Sequence, residues 1–402
     1  MIRIETSSKK LFRAILTVVL ITLVSCEGVN SEEKALLSKV HEIREQYAPD
    51  KRTVLFDIRV FSDAKKYILT GETDNEIALA ELRKSLESSD VEYIDKIKLL
   101  PSDELEGKTQ AIVNISVANL RSNAKHSAEL ATQATLGTPV KVLKKEGGWY
   151  YIQTPDKYLS WVDDGGIQLM NDDEFKKWQS AEKIIYTKTY GHSYTQENTD
   201  AIVSDLVAGG VIETVSSSDA FYEVKYPDGR KAFVSKNDAE NYNEWIDRMN
   251  PTIDDLVTTS KQLMGVPYLW GGTSTKGMDC SGFTKTIYFL NGMVIPRDAS
   301  QQVHTGKSID SVQEFDNLEK GDLLFFGRKA TDSTAERVVH VGMWIGNNEF
   351  IHASNMVRIS SMDPDAENFD EWNRNRYLRT KRILKEQDPD LIHLAQNPLF
   401  KE

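Results

Sequence analysis

The patterning of this chain predicts an α+β domain over residues 251–386, preceded by two small β-rich barrels and a small α/β unit near the N terminus. Three observations carry that reading. Beyond position 250, helical stripes of apolar residues are followed by strand-like runs. Between 108 and 240, short apolar segments alternate with clusters of Gly, Asn, Asp and Pro, the rhythm of small barrels. Between 53 and 100, period-2 alternation gives way to helical spacing and back again.

The elements follow in order. Lys9, Lys10 and Arg13 precede an apolar run from Ala14 to Val24, so residues 1–25 read as a secretory signal. The run is too short for a membrane span, which needs about 20 apolar residues. Leu23-Val24-Ser25-Cys26 resembles a bacterial lipobox, which implies a lipid on Cys26 and an exported lipoprotein held at a membrane of the periplasm or cell envelope. Residues 26–52 are polar and helical in tone, a tether ending near Pro49.

Residues 53–106 predict a β-α-β unit. Val54, Phe56, Ile58 and Val60 share a strand face. Ile77, Leu79, Leu82 and Leu86 follow helical spacing, and Val91–Leu99 returns to strand character. Residues 107–171 predict the first barrel and 182–243 the second, with Asp172–Ala181 as a linker. Words such as Val117-Ala118-Asn119-Leu120-Arg121-Ser122, Gly148-Trp149-Tyr150 and Tyr158-Leu159-Ser160-Trp161-Val162 resemble a bacterial SH3-like domain. The second segment carries weaker forms of the same words.

In the last domain, Ile253, Leu256, Val257, Leu263 and Met264 form a helix stripe that stops at Gly265. A second helix starts near Cys280, repeats Phe283, Ile287 and Leu290, and stops at Asn291-Gly292. Strands are expected at Asp322–Phe326, His340–Gly346 and Glu349–Ala353, and residues 387–402 as a C-terminal tail.

Charge excludes one class of partner. The formal charge is −12, and about −15 once the signal, with its net charge of +3, is removed. Nucleic acid binding needs concentrated Lys and Arg, so none is expected. Cysteine and histidine spacing offers no metal site, and no cofactor is implied. A monomer is expected.

With Cys26 committed to lipid, Cys280 has no disulfide partner, and a reactive thiol is the reason an exported protein would keep one. At the first turn of a helix, unpaired N–H groups and the dipole favour the thiolate. Asp279 would oppose this if close, so it is expected to point away from the sulfur and to serve as a hook for a substrate amine. His340 and His352 lie on the following strands, where His340 would take the thiol proton and His352 would orient its ring.

That pairing imposes a condition. A plain two-residue turn at Asn347-Asn348 would put the two histidines on opposite faces of the sheet. A three-residue loop or a bulge, with Asn348 at positive φ, restores them to one face.

Gly265-Val266-Pro267-Tyr268-Leu269-Trp270-Gly271-Gly272, Asp279-Cys280-Ser281-Gly282-Phe283, Pro296-Arg297-Asp298-Ala299-Ser300, Gly321-Asp322-Leu323-Leu324-Phe325-Phe326, His340-Val341-Gly342 and Ile351-His352-Ala353-Ser354 together resemble the NlpC-type peptidoglycan cysteine peptidases. With SH3-like domains ahead, the chain is similar to the dipeptidyl-peptidase VI branch, the γ-D-glutamyl-L-diamino acid endopeptidases. The resemblance implies a papain-like domain and peptidoglycan-derived peptides as substrates. It implies cleavage of the γ-D-Glu–diamino acid bond behind a free N-terminal L-Ala.

It also implies site residues. Cys280, His340 and His352 match the triad. Tyr268 and Trp270 match pocket walls, Asp279 and Ser281 flank the nucleophile, and Asp298 matches a pocket acid. Ala299 stands where a relative would have serine, so Ser300 is the replacement candidate. Tyr158 and Glu129 are the first barrel's candidates for closing the cleft. The alternatives are a wall endopeptidase with an open cleft and a non-catalytic wall-binding lipoprotein.

Overall fold

The computed structural model describes residues 31–63, 66–88, 91–397 and 399–400. Cys26 and the signal lie outside the described residues. The chain divides into two compact units. One comprises 56–98 with the residues up to Pro49, and the other comprises 50–55 with everything from Leu99 onward.

In the smaller unit, helix α1 (Ser31–Tyr47) buries Leu36, Val40 and Ile43, one stripe at helical spacing. It is thus part of a core rather than a free tether. Strands β1 (Phe56–Asp63) and β2 (Lys66–Thr73) pair antiparallel, helix α2 (Glu76–Glu87) follows, and β3 (Tyr93–Leu99) completes a sheet ordered β1-β2-β3. The expected β-α-β unit is therefore β-β-α-β. The missed strand, Lys-Tyr-Ile-Leu-Thr-Gly-Glu-Thr, alternates clearly and buries Tyr67 and Leu69. Asn75 caps α2 by accepting from the N–H of Ala78 at 3.0 Å.

The larger unit begins with seven strands: β4 (Gln110–Val113), β5 (Val117–Arg121), β6 (Leu130–Thr135), β7 (Pro139–Glu146), β8 (Trp149–Gln153), β9 (Leu159–Asp163) and β10 (Ile167–Met170). Helix α3 (Asp172–Ser180) then occupies the expected linker. Asn171 and Glu174 form its capping box, and Trp178 is buried. Seven more strands follow: β11 (Lys183–Tyr186), β12 (Tyr190–Tyr194), β13 (Ile202–Val207), β14 (Val211–Ser217), β15 (Phe221–Lys225), β16 (Lys231–Ser235) and β17 (Ala239–Asn241).

The first sheet is ordered β10-β4-β7-β8-β9-β5-β6 and the second β13-β12-β16-β15-β14-β11-β17. Read from the other edge, the second has the same order as the first, strand for strand.

Helix α4 (Tyr242–Asp247) leads into the last part, which opens with α5 (Ile253–Gln262). A short hairpin, β18 (Thr273–Ser274) and β19 (Gly277–Met278), precedes α6 (Cys280–Leu290). Then come β20 (Met293–Val294), the single turn α7 (Ala299–Gln302), β21 (Lys307–Asp310), β22 (Leu323–Arg328), β23 (Arg337–Gly346), β24 (Glu349–Ser354) and β25 (Met356–Ser361). The chain finishes with α8 (Glu371–Asn375), β26 (Tyr377–Arg382) and β27 (Ile392–His393).

The main sheet is antiparallel, ordered β21-β26-β22-β23-β24-β25. Phe283 and Ile287 of α6 pack on Val341, Met343, Ile351 and Ala353 of the sheet, so one apolar face fixes helix to strands. The expected tail is also structured. β27 pairs with β20, and Phe400 is buried against Trp178, Tyr242 and Phe289.

Candidate active site

Cys280 is the first residue of α6, and the cap is Asp279, whose Oδ1 accepts from the N–H of Gly282 at 2.7 Å. The helix starts here because the Gly271-Gly272 turn lies directly against it. A Cβ on Gly282 would stand 2.0 Å from the Gly272 carbonyl oxygen. Gly271 has φ +79°, and a Cβ there would stand 2.1 Å from the carbonyl oxygen of Leu130 in the first sheet. The same joint carries reciprocal bonds. Thr273 N–H donates to Gln133 Oε1 at 3.0 Å, and Gln133 N–H donates to Thr273 Oγ1 at 3.1 Å.

The thiol is buried. The backbone N–H groups of Val341 and Ser281 and the Arg297 charge favour its anion. Burial nevertheless outweighs them and, with Asp279, pushes the thiol up to about 12. The lowering expected from the helix start is thus overridden in the resting site. A thiolate must arise by proton transfer to a base beside it.

The candidate base, His340, lies on the β23–β24 hairpin. Met343 pairs with Ile351, Trp344 with Phe350 and Gly346 with Glu349, leaving Ile345 as a bulge. Asn347 and Asn348 form the turn with φ 53° and 59°. Of the two expected solutions, the bulge is the one realised, and Asn347 joins Asn348 at positive φ. His352 then lies beside Gly342, where an added Cβ would be 3.2 Å from its own Cβ. His340 therefore reaches it on the same face, with Nε2 2.7 Å from His352 Nδ1.

The hydrogen-bond line continues. His352 Nε2 is 3.0 Å from Ser360 Oγ on β25, and Asp370 Oδ2 lies 3.9 Å from the same nitrogen. With His340 Nε2 spent on His352, its Nδ1 is the nitrogen left to serve the thiol. The consistent assignment puts a proton on Nε2 of each ring, with His340 donating to His352 and His352 donating to Ser360. Burial, above all, holds His340 well below the ordinary histidine range and His352 at about 3. The neighbouring arginines push both in the same direction. Both rings are neutral at pH 7, the state in which an imidazole can accept a proton.

The acidic residues form a second group. Asp279 accepts from Gly271 N–H (3.0 Å), Ser281 Oγ (3.2 Å), Gly282 N–H (2.7 Å) and both Nη1 and Nη2 of Arg297 (3.1 and 2.7 Å). Arg297 is only 1% exposed and also bonds Ser281 Oγ at 3.0 Å and Thr132 Oγ1 at 2.8 Å. A carboxylate has about four acceptor positions. The structure thus uses Asp279 as helix cap and counter-ion in place of a free amine hook, and Ser281 as part of the same buried cluster.

Asp298 is bonded by the hydroxyl of Tyr158 at 3.2 Å, so the tyrosine that leads into β9 meets the predicted pocket acid. Burial and the Asp298 charge hold that phenol far above its ordinary range. Glu129 accepts from Trp270 Nε1 at 2.7 Å, and Trp270 is 63% exposed. Tyr268 is half-buried, and burial above all, reinforced by the Asp279 charge, raises its phenol. Ala299 is buried, and the Ser300 hydroxyl is engaged by Arg52.

Arg52 is a residue the sequence reading missed. Its Nη1 donates to Asp298 Oδ2 at 2.7 Å and to Ser300 Oγ at 2.8 Å, while Asp50 grips its Nε and Nη2. The segment is pinned to the first seven-stranded sheet, because Leu159 N–H donates to the Arg52 carbonyl at 2.7 Å. Ser360 was missed too. A lone serine in a strand has no signature, and the contact at Arg52 spans 246 residues.

Residues 265–372 match the NlpC/P60 family and residues 116–168 the bacterial SH3 domain. A Bacillus cereus protein named gamma-D-glutamyl-L-lysine dipeptidyl-peptidase is 34% identical over 244 residues, covering 59% of this chain and 71% of that one. The chain belongs to the NlpC/P60 family. Dipeptidyl-peptidase 6 of Lysinibacillus sphaericus is 29% identical over 63% of this chain and 92% of its own length. The crystal structure of an NlpC/P60 family protein from Bacillus cereus matches with TM-score 0.59 at 28% identity, over 68% of this chain and 99% of that one. Like these relatives, this NlpC/P60 member is a hydrolase of the peptidase class.

Proposed function

We propose that this NlpC/P60 peptidase hydrolyses the γ-D-Glu–diamino acid bond of peptidoglycan stem peptides whose N-terminal L-Ala is free, releasing L-Ala-D-Glu. Its papain-like domain is 251–386, and 107–171 is its first SH3-like barrel. The second sheet, 182–243, is read as another SH3-like barrel on the strength of its shared strand order. Cys280 Sγ gives its proton to His340 Nδ1 and attacks the γ-carbonyl carbon. The diamino acid's amine leaves with the proton from His340, and water then releases the acyl group.

The observation that carries the substrate reading is the meeting of barrel and peptidase residues, Glu129 with Trp270 and Tyr158 with Asp298. In this group the carboxylates of Asp50, Asp279, Asp298 and Glu129 outnumber the guanidiniums of Arg52 and Arg297. An ammonium fits that surplus. A site with unpaired acids rejects a ligand that lacks the charge. With Asp279 saturated, Glu129 and Asp298 are the acids for the amine.

Rates on L-Ala-γ-D-Glu-diamino acid and its N-acetylated form test this. A large preference for the free amine is expected, and equal rates would mean an open-cleft endopeptidase. We also propose export and lipid attachment at Cys26. Radiolabelled palmitate should enter the wild-type chain and not Cys26→Ala.

A further inference from the structure

Arg376 follows α8 directly and is held in one orientation. Its Nε and Nη2 both donate to Asn373 Oδ1, at 3.0 and 2.8 Å, and its guanidinium lies over the Trp372 ring at 5.3 Å. Asn373 is itself buried and anchored, with Nδ2 donating to Asp370 Oδ2 at 2.6 Å and its N–H donating to Asp370 Oδ1 at 2.9 Å. Asp370 is the carboxylate 3.9 Å from His352 Nε2. From the other side, Gly327 N–H donates to the Arg376 carbonyl at 2.8 Å, next to Phe326, which pairs with His340.

A fixed cation therefore stands beside the reacting groups. Its charge is felt by Asp370 first and then by Cys280, and it also acts on His340 and His352. Yet no carboxylate lies within 4 Å of its guanidinium among the described residues, and Nη1 makes no hydrogen bond there. Trp372 beside it is 72% exposed, the most exposed large apolar side chain among the described residues. A half-buried guanidinium with a spare nitrogen, stacked on an exposed indole, is preorganised for an anion.

We infer that Arg376 and Trp372 form the subsite for the leaving residue and select one that bears a carboxylate. This rests on the proposed reaction, in which the diamino acid departs from beside Cys280. A lysine side chain would bring only an ammonium toward Arg376, which repels it. A carboxylate pairs with the guanidinium whether it is the α-carboxylate of a terminal residue or the second carboxylate of a diamino dicarboxylic acid. Arg376 is thus a specificity-determining residue, outside the acidic end of the cleft.

Three tripeptides of the form L-Ala-γ-D-Glu-X test it. X is L-lysine amide, L-lysine free acid, or a diaminopimelic acid amidated at its α-carboxyl. Wild type should prefer whichever carboxylate-bearing substrate reaches Arg376, and that choice separates the two sources. Arg376→Met should lower kcat/KM for it about 10- to 100-fold, mostly through KM, and lower that for the lysine amide several-fold less.

An equal loss on all three, with a shifted pH profile, would mean that Arg376 acts on the thiol and histidines, and the inference falls. Should Arg376→Met fail to fold, Trp372→Ala carries the test from an exposed position. A smaller but still selective loss supports the subsite, and unchanged kinetics on all three overturn it. If wild type with a reactive Cys280 cleaves none of the three, the proposed reaction itself is wrong.

Discussion

Two groups of polar side chains converge on Cys280, and they are built differently. The base group, His340, His352 and Ser360, is neutral, buried and drawn from three consecutive strands. The acid group, Asp279, Arg297, Asp298, Tyr158, Arg52 and Asp50, is charged and comes from segments up to about 250 residues apart. Local hairpin geometry is enough to set a proton path. Setting the charged end requires the first seven-stranded sheet to pack on the segment around α6 through Gln133–Thr273 and Thr132–Arg297. The contrast implies that chemistry and substrate choice can be damaged separately.

The largest effects should come from the base group. His340→Ala should lower kcat about 10²- to 10⁴-fold with the fold intact, measured by steady-state kinetics and circular dichroism. A comparable loss from Arg52→Met would erase the distinction between the groups. Next comes the buried pair of the acid group. Asp279→Ala strands the Arg297 charge and should cost about 3–5 kcal/mol of stability, read by chemical denaturation.

Acid should act through the histidines. The unfolded chain takes up protons near pH 6.5, whereas folded His352 does so only near 3 and folded His340 well below 6.5. Stability is therefore full above about pH 6.5 and falls on acidification, by up to about 1.4 kcal/mol per pH unit for each ring. Denaturation at pH 7 and pH 5 should show this, and His352→Gln should flatten the slope.

The smallest effects separate the groups most finely. Ser360→Ala should lower kcat about 3- to 10-fold with KM unchanged. Arg52→Met should raise KM for the free-amine substrate by a similar factor with kcat unchanged, because Asp298 and Ser300 lose the group that holds them.

The same contrast explains what was legible from the chain. Cys280 at a helix start, His340 and His352 on one face and Asn348 at positive φ all follow from local rules, and the structure has each. Helix α3 stands in place of a linker, and its Asn171–Glu174 capping box is a local signal for it. Arg52, Asn373 and Arg376 had no local signal, because their meaning arises only where distant segments touch. Asp279 shows the same limit. Its position was readable, but its partner Arg297, 18 residues on, reassigns its carboxylate.

The bulge at Ile345 has a consequence for how this hairpin can change length. Because Ile345 lies outside the pairing of Trp344 with Phe350 and Gly346 with Glu349, loss of its codon would leave a plain hairpin with every other pair retained. Such a lineage would forfeit one buried side chain, about 1.5–3 kcal/mol, and keep the two imidazoles together. A gained codon has no such outlet and needs a second irregularity. Shortening by one is a path open to descendants of this gene, and lengthening by one is a trap.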